Sequence, residues 1–134
     1  MKPQAETAGS QSPESRFEHG IALFNRGEFF DAHEVWEDLW MECPSAERRF
    51  IQALIQAAVA IHHFERGNHA GAARLSKSGR AYMEPFRPVY RGLNVDAFWR
   101  QMERHLAPAL GGDSVLSGPR PMIALHRDAE AGDD

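Results

Sequence analysis

One segment near the middle of the chain is apolar on almost every side of a helix, and it limits the possible folds more than any other feature. Between Phe50 and Phe64, aliphatic, aromatic and alanine residues leave only a narrow polar stripe. A helix of this kind is stable only when other elements cover it on most sides. No stretch shows the period-2 alternation of a half-buried strand, so helices are expected to provide that cover and no sheet is predicted. The sequence therefore predicts an all-α fold with this segment at its centre.

Capping residues, prolines and glycines mark where the helices begin and end. The run Ser12–Glu14 is a typical helix start, and Gly27 ends this first helix near Arg26. Further helices are expected at about residues 28–43, 46–66 (capped by Ser45), 69–84 and 94–108. Together they form one domain, residues 13–108, with the shape of a compact bundle or short superhelix. Residues 1–12 are predicted to be a disordered tail, and residues 109–134 a loop leading to an acidic tail.

Two helix ends in the sequence resemble each other. The segment Phe24–Gly27 recurs forty positions later as Phe64–Gly67, and each copy is followed by an alanine, Ala32 or Ala72, at the same distance. Repeated helical hairpins are typical of tetratricopeptide-like solenoids. Any glycine-terminated helix turn can produce a similar match, so the sequence leaves both interpretations open.

The net charge and the cysteine content limit the possible binding partners and the cellular compartment of the protein. The formal net charge of -4 would repel nucleic acid and anionic membranes, so neither is an expected partner. No apolar stretch is long enough to span a bilayer. Cys43 is the single cysteine, which excludes an intramolecular disulfide and is typical of a cytoplasmic protein. A protein partner and a homo-oligomer both remain open.

The second predicted helix carries a histidine and a carboxylate in an unusual position. Its other acids, Asp31, Glu34, Asp38 and Glu42, gather on one side of a helical wheel, whereas His33 and Glu37 fall within the opposite, apolar arc. A carboxylate among aromatic residues needs a partner or a bound cation. His33 and Glu37 are one helical turn apart, which is also a spacing at which two side chains can chelate one metal ion.

The polar stripe of the central helix is the expected source of further groups. Gln52, Gln56 and His63 fall within about 40° of one another on a helical wheel. If this stripe faces His33 and Glu37, the resulting pocket holds two imidazoles, a carboxylate and amides. Such a set could bind a divalent transition metal with water in the open positions. It could equally be a buried hydrogen-bond network that fixes helix packing, and the residue types leave both open.

The sequence resembles a known family around these residues. The matching segments are Gly27–Trp40, Leu54–Gln56, His63 and Arg66–Asn68. They are similar to the small bacterial and archaeal proteins called domain of unknown function 309, over about residues 17–106. The family pattern is His-x-x-x-Glu-x-x-Trp or Tyr, here His33, Glu37 and Trp40. The resemblance implies an all-helical fold and metal binding at this pattern, but no reaction. The HExxH pattern of zinc proteases does not fit, because Glu37 replaces its second histidine.

Two functions from different classes follow. In the first, a divalent ion held by His33, Glu37 and His63, with Gln52, Gln56 and Trp40 around it, activates water in a hydrolase-type enzyme. In the second, the chain is a non-catalytic helical adaptor: His33 and Glu37 only lock the second helix against the third, and an outer groove binds a protein. Solvent access to the pair distinguishes the two. Trp36 and Trp40 are both predicted to be core anchors.

Overall fold

The computed structural model describes residues 12–112 and 116–126, and within them the chain is almost entirely helical. Six helices are present in this part: α1 Pro13–Asn25, α2 Phe29–Glu42, α3 Ser45–Glu65, α4 His69–Met83, α5 Val95–His105 and α6 Ala107–Gly111. The predicted all-α fold is confirmed. The predicted disordered tail, apart from Ser12, and the last eight residues of the predicted acidic tail lie outside the described residues.

Side-chain caps begin three of the helices. The Ser12 hydroxyl accepts a hydrogen bond from the Ser15 amide at 3.0 Å, as the start signal in the sequence predicts. Asn68 and Asn94 cap α4 and α5 in the same way. The prediction for Ser45 is wrong, because this residue is the first helical residue of α3, after Pro44, and makes no capping bond.

The two similar helix ends have the same structure. Gly27 and Gly67 adopt positive φ angles of 83° and 84°, a conformation that glycine enters without steric cost. The amide after each glycine donates to the carbonyl five residues before it, at 2.9 and 2.8 Å. Ala32 and Ala72 are both fully buried where the next helix packs. The α1–α2 and α3–α4 hairpins therefore repeat one turn geometry.

The central position of α3 is confirmed. This helix packs against both α2 and α4, while α1 packs against α2, so the first four helices form consecutive antiparallel pairs. Phe50, Leu54 and Ile61 of α3 have no exposed surface. Trp36 of α2 is also fully buried, and its indole N–H donates to the Phe17 carbonyl of α1 at 3.3 Å. The core is thus continuous from α1 to α4.

A small β-hairpin between α4 and α5 corrects the prediction that no sheet is present. A 3₁₀ turn, Glu84–Phe86, is followed by antiparallel strands β1 (Val89–Tyr90) and β2 (Leu93–Asn94). Arg91 and Gly92 both have positive φ angles, as a two-residue hairpin turn requires. Strands of two residues are too short to show an alternating pattern, so sequence periodicity could not reveal them.

An ion pair attaches this hairpin region to α5. The Arg87 guanidinium lies 2.5 Å from the Asp96 carboxylate, and its hydrogen bond lowers the pKa of Asp96 below the ordinary value.

Helix α5 ends at His105, about three residues earlier than the sequence predicts. Pro108 lies in the first turn of α6, where its missing N–H costs no hydrogen bond.

Residues 116–126, called here the C-terminal strap, have no regular secondary structure but pack against the helices. The Asn25 side chain of α1 donates to the Ile123 carbonyl at 2.9 Å and accepts from the Ile123 amide at 2.8 Å. Gln101 of α5 makes the same pair of bonds with Met122. Ile123 is buried. A segment that the sequence predicts as loop therefore closes over α1 and α5.

Candidate functional site

His33 and Glu37 form an oriented pair on the surface of α2. The Nδ1 atom of His33 lies 2.8 Å from the Phe30 carbonyl oxygen, and Nε2 lies 3.3 Å from Oε2 of Glu37. Because a carbonyl oxygen only accepts, Nδ1–H is the donor and Nε2 faces the carboxylate. The His33 side chain is 15% exposed and that of Glu37 is 56% exposed. The pair predicted from the spacing is present, but it is open to solvent.

The open position of Glu37 corrects the prediction that it lies inside a buried arc. The apolar arc of α2 is wider than the surface that its neighbours cover, since α2 packs mainly on α1 and α3. Ala32 and Trp36 face those helices and are buried, whereas Phe30 is 50% and Met41 is 69% exposed. Both bonds of His33 also stay within α2, so the pair is not a hydrogen-bonded lock between helices.

His63 does not join this pair. Its Nδ1 atom lies 3.3 Å from the side-chain nitrogen of Asn68, at the turn that follows α3. Among residues 12–112 and 116–126, no group of three or more histidine, cysteine, aspartate or glutamate side chains is placed to hold a metal ion. The structure therefore does not bring His33, Glu37 and His63 together as a three-ligand site.

His62, rather than His63, is the histidine of α3 that reaches toward α2. Its ring centroid lies 5.4 Å from that of Phe30, which in turn lies 4.9 Å from that of His33. The Phe30 ring thus bridges the two imidazoles. The predicted stripe of α3 contained His63 and not His62, because a helical wheel gives the spacing of residues and not the angle at which two helices meet.

The remaining stripe residues face different surroundings. The Oε1 atom of Gln56 is buried and has no hydrogen-bond partner in the described part of the chain. The Cβ atom of Gln56 lies 3.4 Å from the position that a Cβ would take on Gly79, so Gln56 packs against α4. Gln52, one turn earlier, lies at an open groove instead. The predicted stripe is therefore divided between an interface and the surface.

That groove, called here the Trp40 groove, crosses the outer surface of α2, α3 and α4. One part, about 290 Å³, is lined by Glu37, Trp40, Met41, Gln52 and Ile55. A second part, about 190 Å³, is lined by Trp40, Arg48, Arg49, Gln52 and Tyr82. Trp40 and Gln52 line both parts and join them. Trp36 is a core anchor as predicted, but the same prediction is wrong for Trp40, which is only partly buried.

Two arginines form one end of the Trp40 groove. The Arg48 guanidinium lies 4.7 Å from the centre of the Trp40 ring and also donates to the Cys43 carbonyl at 3.4 Å. Arg49 lies 5.5 Å from the centre of the Tyr82 ring. These cation–π contacts orient the positive charges beside an aromatic floor. The opposite end carries the carboxylate of Glu37, so the groove is polarised along its length.

Cys43, which follows α2, does not have the properties of a nucleophile. Burial raises the pKa of its thiol, and the nearby carboxylate of Glu47 raises it further. A buried neutral thiol reacts slowly, because the thiolate is the reactive form. The thiol of Cys43 is therefore poorly suited to act as a nucleophile.

The fold and this surface define a class of protein: a small domain of antiparallel helical hairpins with an open groove on one side. Residues 17–75 match the family described as domain of unknown function (DUF309). This match over residues 17–75 confirms the resemblance predicted from the pattern at His33, Glu37 and Trp40.

Two bacterial relatives are similar over a larger part of the chain. An uncharacterised protein of Aquifex aeolicus is 29% identical over 97 residues, which cover 72% of this chain and 28% of that protein. The uncharacterised protein YpuF of Bacillus subtilis is 29% identical over 85 residues, which cover 63% of this chain and 49% of YpuF. The chain thus matches less than half of the length of each relative. No helix in the described ranges is both long and apolar enough to cross a membrane.

Proposed function

We propose that the chain is a helical interaction module that binds a short peptide segment of a protein partner in the Trp40 groove. The observation that carries this proposal is the continuity of the two concavities through Trp40 and Gln52, beside the exposed side chain of Met41. Grooves between helices commonly bind amphipathic segments by their apolar side chains. Methionine at such a surface adapts to apolar groups of different shape.

The charges of the groove specify the chemistry of that segment. Trp40, Met41 and Ile55 provide an apolar floor for one large side chain. Glu37 is exposed at one end and attracts a basic residue, whereas Arg48 and Arg49 at the other end favour an acidic group or a free carbonyl. The expected ligand is therefore a peptide with a large apolar residue between a basic and an acidic position.

Displayed random peptides, selected on the wild-type chain alone, test this proposal. The selected peptides are expected to share that pattern, and fluorescence anisotropy then gives their dissociation constants. Met41→Glu is expected to weaken binding by at least about tenfold, since it places a charge against the apolar anchor. Glu37→Gln is expected to weaken it several-fold, and the matched control Glu34→Gln, on the solvent face of α2, to leave it unchanged. Peptides that bind all four proteins equally, or no enriched sequence, would contradict the proposal.

A divalent metal ion at His33 and Glu37 is a second candidate, and one specific observation favours it. Metal-binding histidines commonly donate one ring N–H to a backbone carbonyl, which orients the other nitrogen toward the ion. His33 has this arrangement, with Nε2 directed at the Glu37 carboxylate. These two residues would hold the ion, with water in the open positions, and a bound ion would lower the pKa of such water.

Elemental analysis after dialysis against zinc without chelator tests the metal. Close to one equivalent is expected in the wild type and in the Glu34→Ala control, and a loss of at least about tenfold in metal affinity is expected in His33→Ala and Glu37→Ala. Equal metal content in all four proteins, or none in the wild type, would contradict this candidate without affecting the peptide groove.

A further inference from the structure

A second groove lies between α4 and α6, with Glu103 of α5 also in its lining. It encloses about 440 Å³, more than either part of the Trp40 groove. All of its lining residues follow Leu75, so it lies outside the segment that matches DUF309. Its volume is within the range of about 300–1,000 Å³ that is typical of small-molecule sites. We call it the Ser76 groove.

The walls of the Ser76 groove are largely apolar, but two polar groups in it bond no other side chain among residues 12–112 and 116–126. Ala107, Leu110 and Gly111 of α6 form one wall. The Ser76 side chain lines the groove, is 4% exposed, and makes no hydrogen bond with any described residue. The Lys77 ammonium lies at the rim and has no carboxylate partner in the described part of the chain. A hydroxyl that lines an open groove and bonds no protein group is available to donate to a bound acceptor.

The other charged groups at the groove already satisfy one another. Arg80 forms an ion pair with Glu103, and this pair separates the Ser76 groove from a neighbouring cavity. In that cavity Arg87 is paired with Glu84 and Asp96, so its charges are largely balanced. Lys77 is therefore the one lining cation of the Ser76 groove without an ion pair in the described residues.

From this geometry we infer that the Ser76 groove binds a small amphipathic monocarboxylate, such as a medium-chain or aromatic acid. The carboxylate pairs with the Lys77 ammonium and accepts a hydrogen bond from the Ser76 hydroxyl. The apolar body lies against Leu110 and Ala107, which removes apolar surface from water. One unpaired positive charge favours a single negative charge on the ligand, and the apolar wall excludes short hydrophilic acids.

Titration of the full chain with sodium decanoate, followed by ¹H–¹⁵N correlation NMR, tests the inference. Saturable shifts are expected at the amides of Ser76, Lys77, Leu110 and Gly111. Lys77→Gln is expected to weaken binding about tenfold, because the variant loses the charge-assisted contact with the carboxylate. Lys77 is exposed, so the substitution is not expected to affect folding. Arg74→Gln is the matched control, since it removes an exposed charge of the same helix outside the groove. Decanol and acetate are expected to bind much more weakly than decanoate.

Three results would overturn the inference. The first is the absence of saturable shifts up to about 5 mM decanoate, a concentration that detects even millimolar dissociation constants. The second is equal binding of decanol and decanoate, or equal binding by Lys77→Gln and Arg74→Gln. The third is a set of shifts confined to the Trp40 groove. None of these outcomes depends on the peptide or metal proposals, which concern α2 and α3.

Discussion

Replacement of Trp36 by alanine is expected to lower the free energy of unfolding by about 3–5 kcal/mol. The Trp36 ring is fully buried, packs 5.9 Å from Phe24, and lies so close to Gly20 of α1 that a Cβ at that glycine would overlap it. Alanine at position 36 would leave a cavity between α1 and α2. Gly20 lines this space and has no side chain that could fill it. It would also leave the Phe17 carbonyl without its indole donor. Urea denaturation followed by circular dichroism measures the change.

Trp40→Ala is the matched control, since it removes the same side chain one turn later on the same helix. Trp40 is only partly buried, so its loss is expected to cost about 1 kcal/mol and to leave little cavity. If Trp36→Ala does not fold, Trp36→Phe retains most of the volume and keeps the comparison measurable. Equal costs for the two alanine variants would contradict the distinction between a core tryptophan and a groove tryptophan.

Asn25→Ala is expected to detach the C-terminal strap and to destabilise the fold by about 2–3 kcal/mol. The substitution removes two hydrogen bonds, each with a net contribution of about 1 kcal/mol, and leaves the polar groups of Ile123 without partners. The buried side chain of Ile123 then loses its attachment to α1. Hydrogen exchange of the Ile123 amide measures the detachment, and an increase of at least about tenfold is expected.

Gln101→Ala provides the control for the strap. Gln101 makes the same two-bond contact with Met122, but Met122 is exposed and water can replace the lost bonds. Its replacement is therefore expected to cost less than about 1 kcal/mol. Equal changes in amide hydrogen exchange and in the free energy of unfolding for the two variants would contradict the view that burial of Ile123 attaches the strap.

The part of the candidate site that could be predicted from sequence is the part that depends on one helix. The spacing of His33 and Glu37 fixes them on one face of α2, and the structure places them 3.3 Å apart. The residues of α3 that lie near this pair could not be predicted in the same way. His62 and His63 are adjacent in sequence and both lie on α3, and only the angle between α2 and α3 selects His62 as the one near Phe30.

The exposure of the site residues also could not be predicted from the sequence. A wheel shows that Glu37 and Met41 lie toward the apolar side of α2, but it does not show how much of that side is covered. Two neighbouring helices cover Ala32 and Trp36 and leave the edge of the arc open. The Trp40 groove exists because this edge is uncovered. The helical periodicity of the sequence therefore does not reveal the groove.

The sequence by itself determined the helices and their turns, because these depend on interactions between residues close in the chain. The caps at Ser12 and Asn94 and the positive φ angles at Gly27 and Gly67 are of this kind. The tertiary structure alone decided the path of the strap, the partner of Phe30 and the two grooves. These features arise between segments far apart in sequence, where the packing of whole helices sets which side chains meet and which remain open to a ligand.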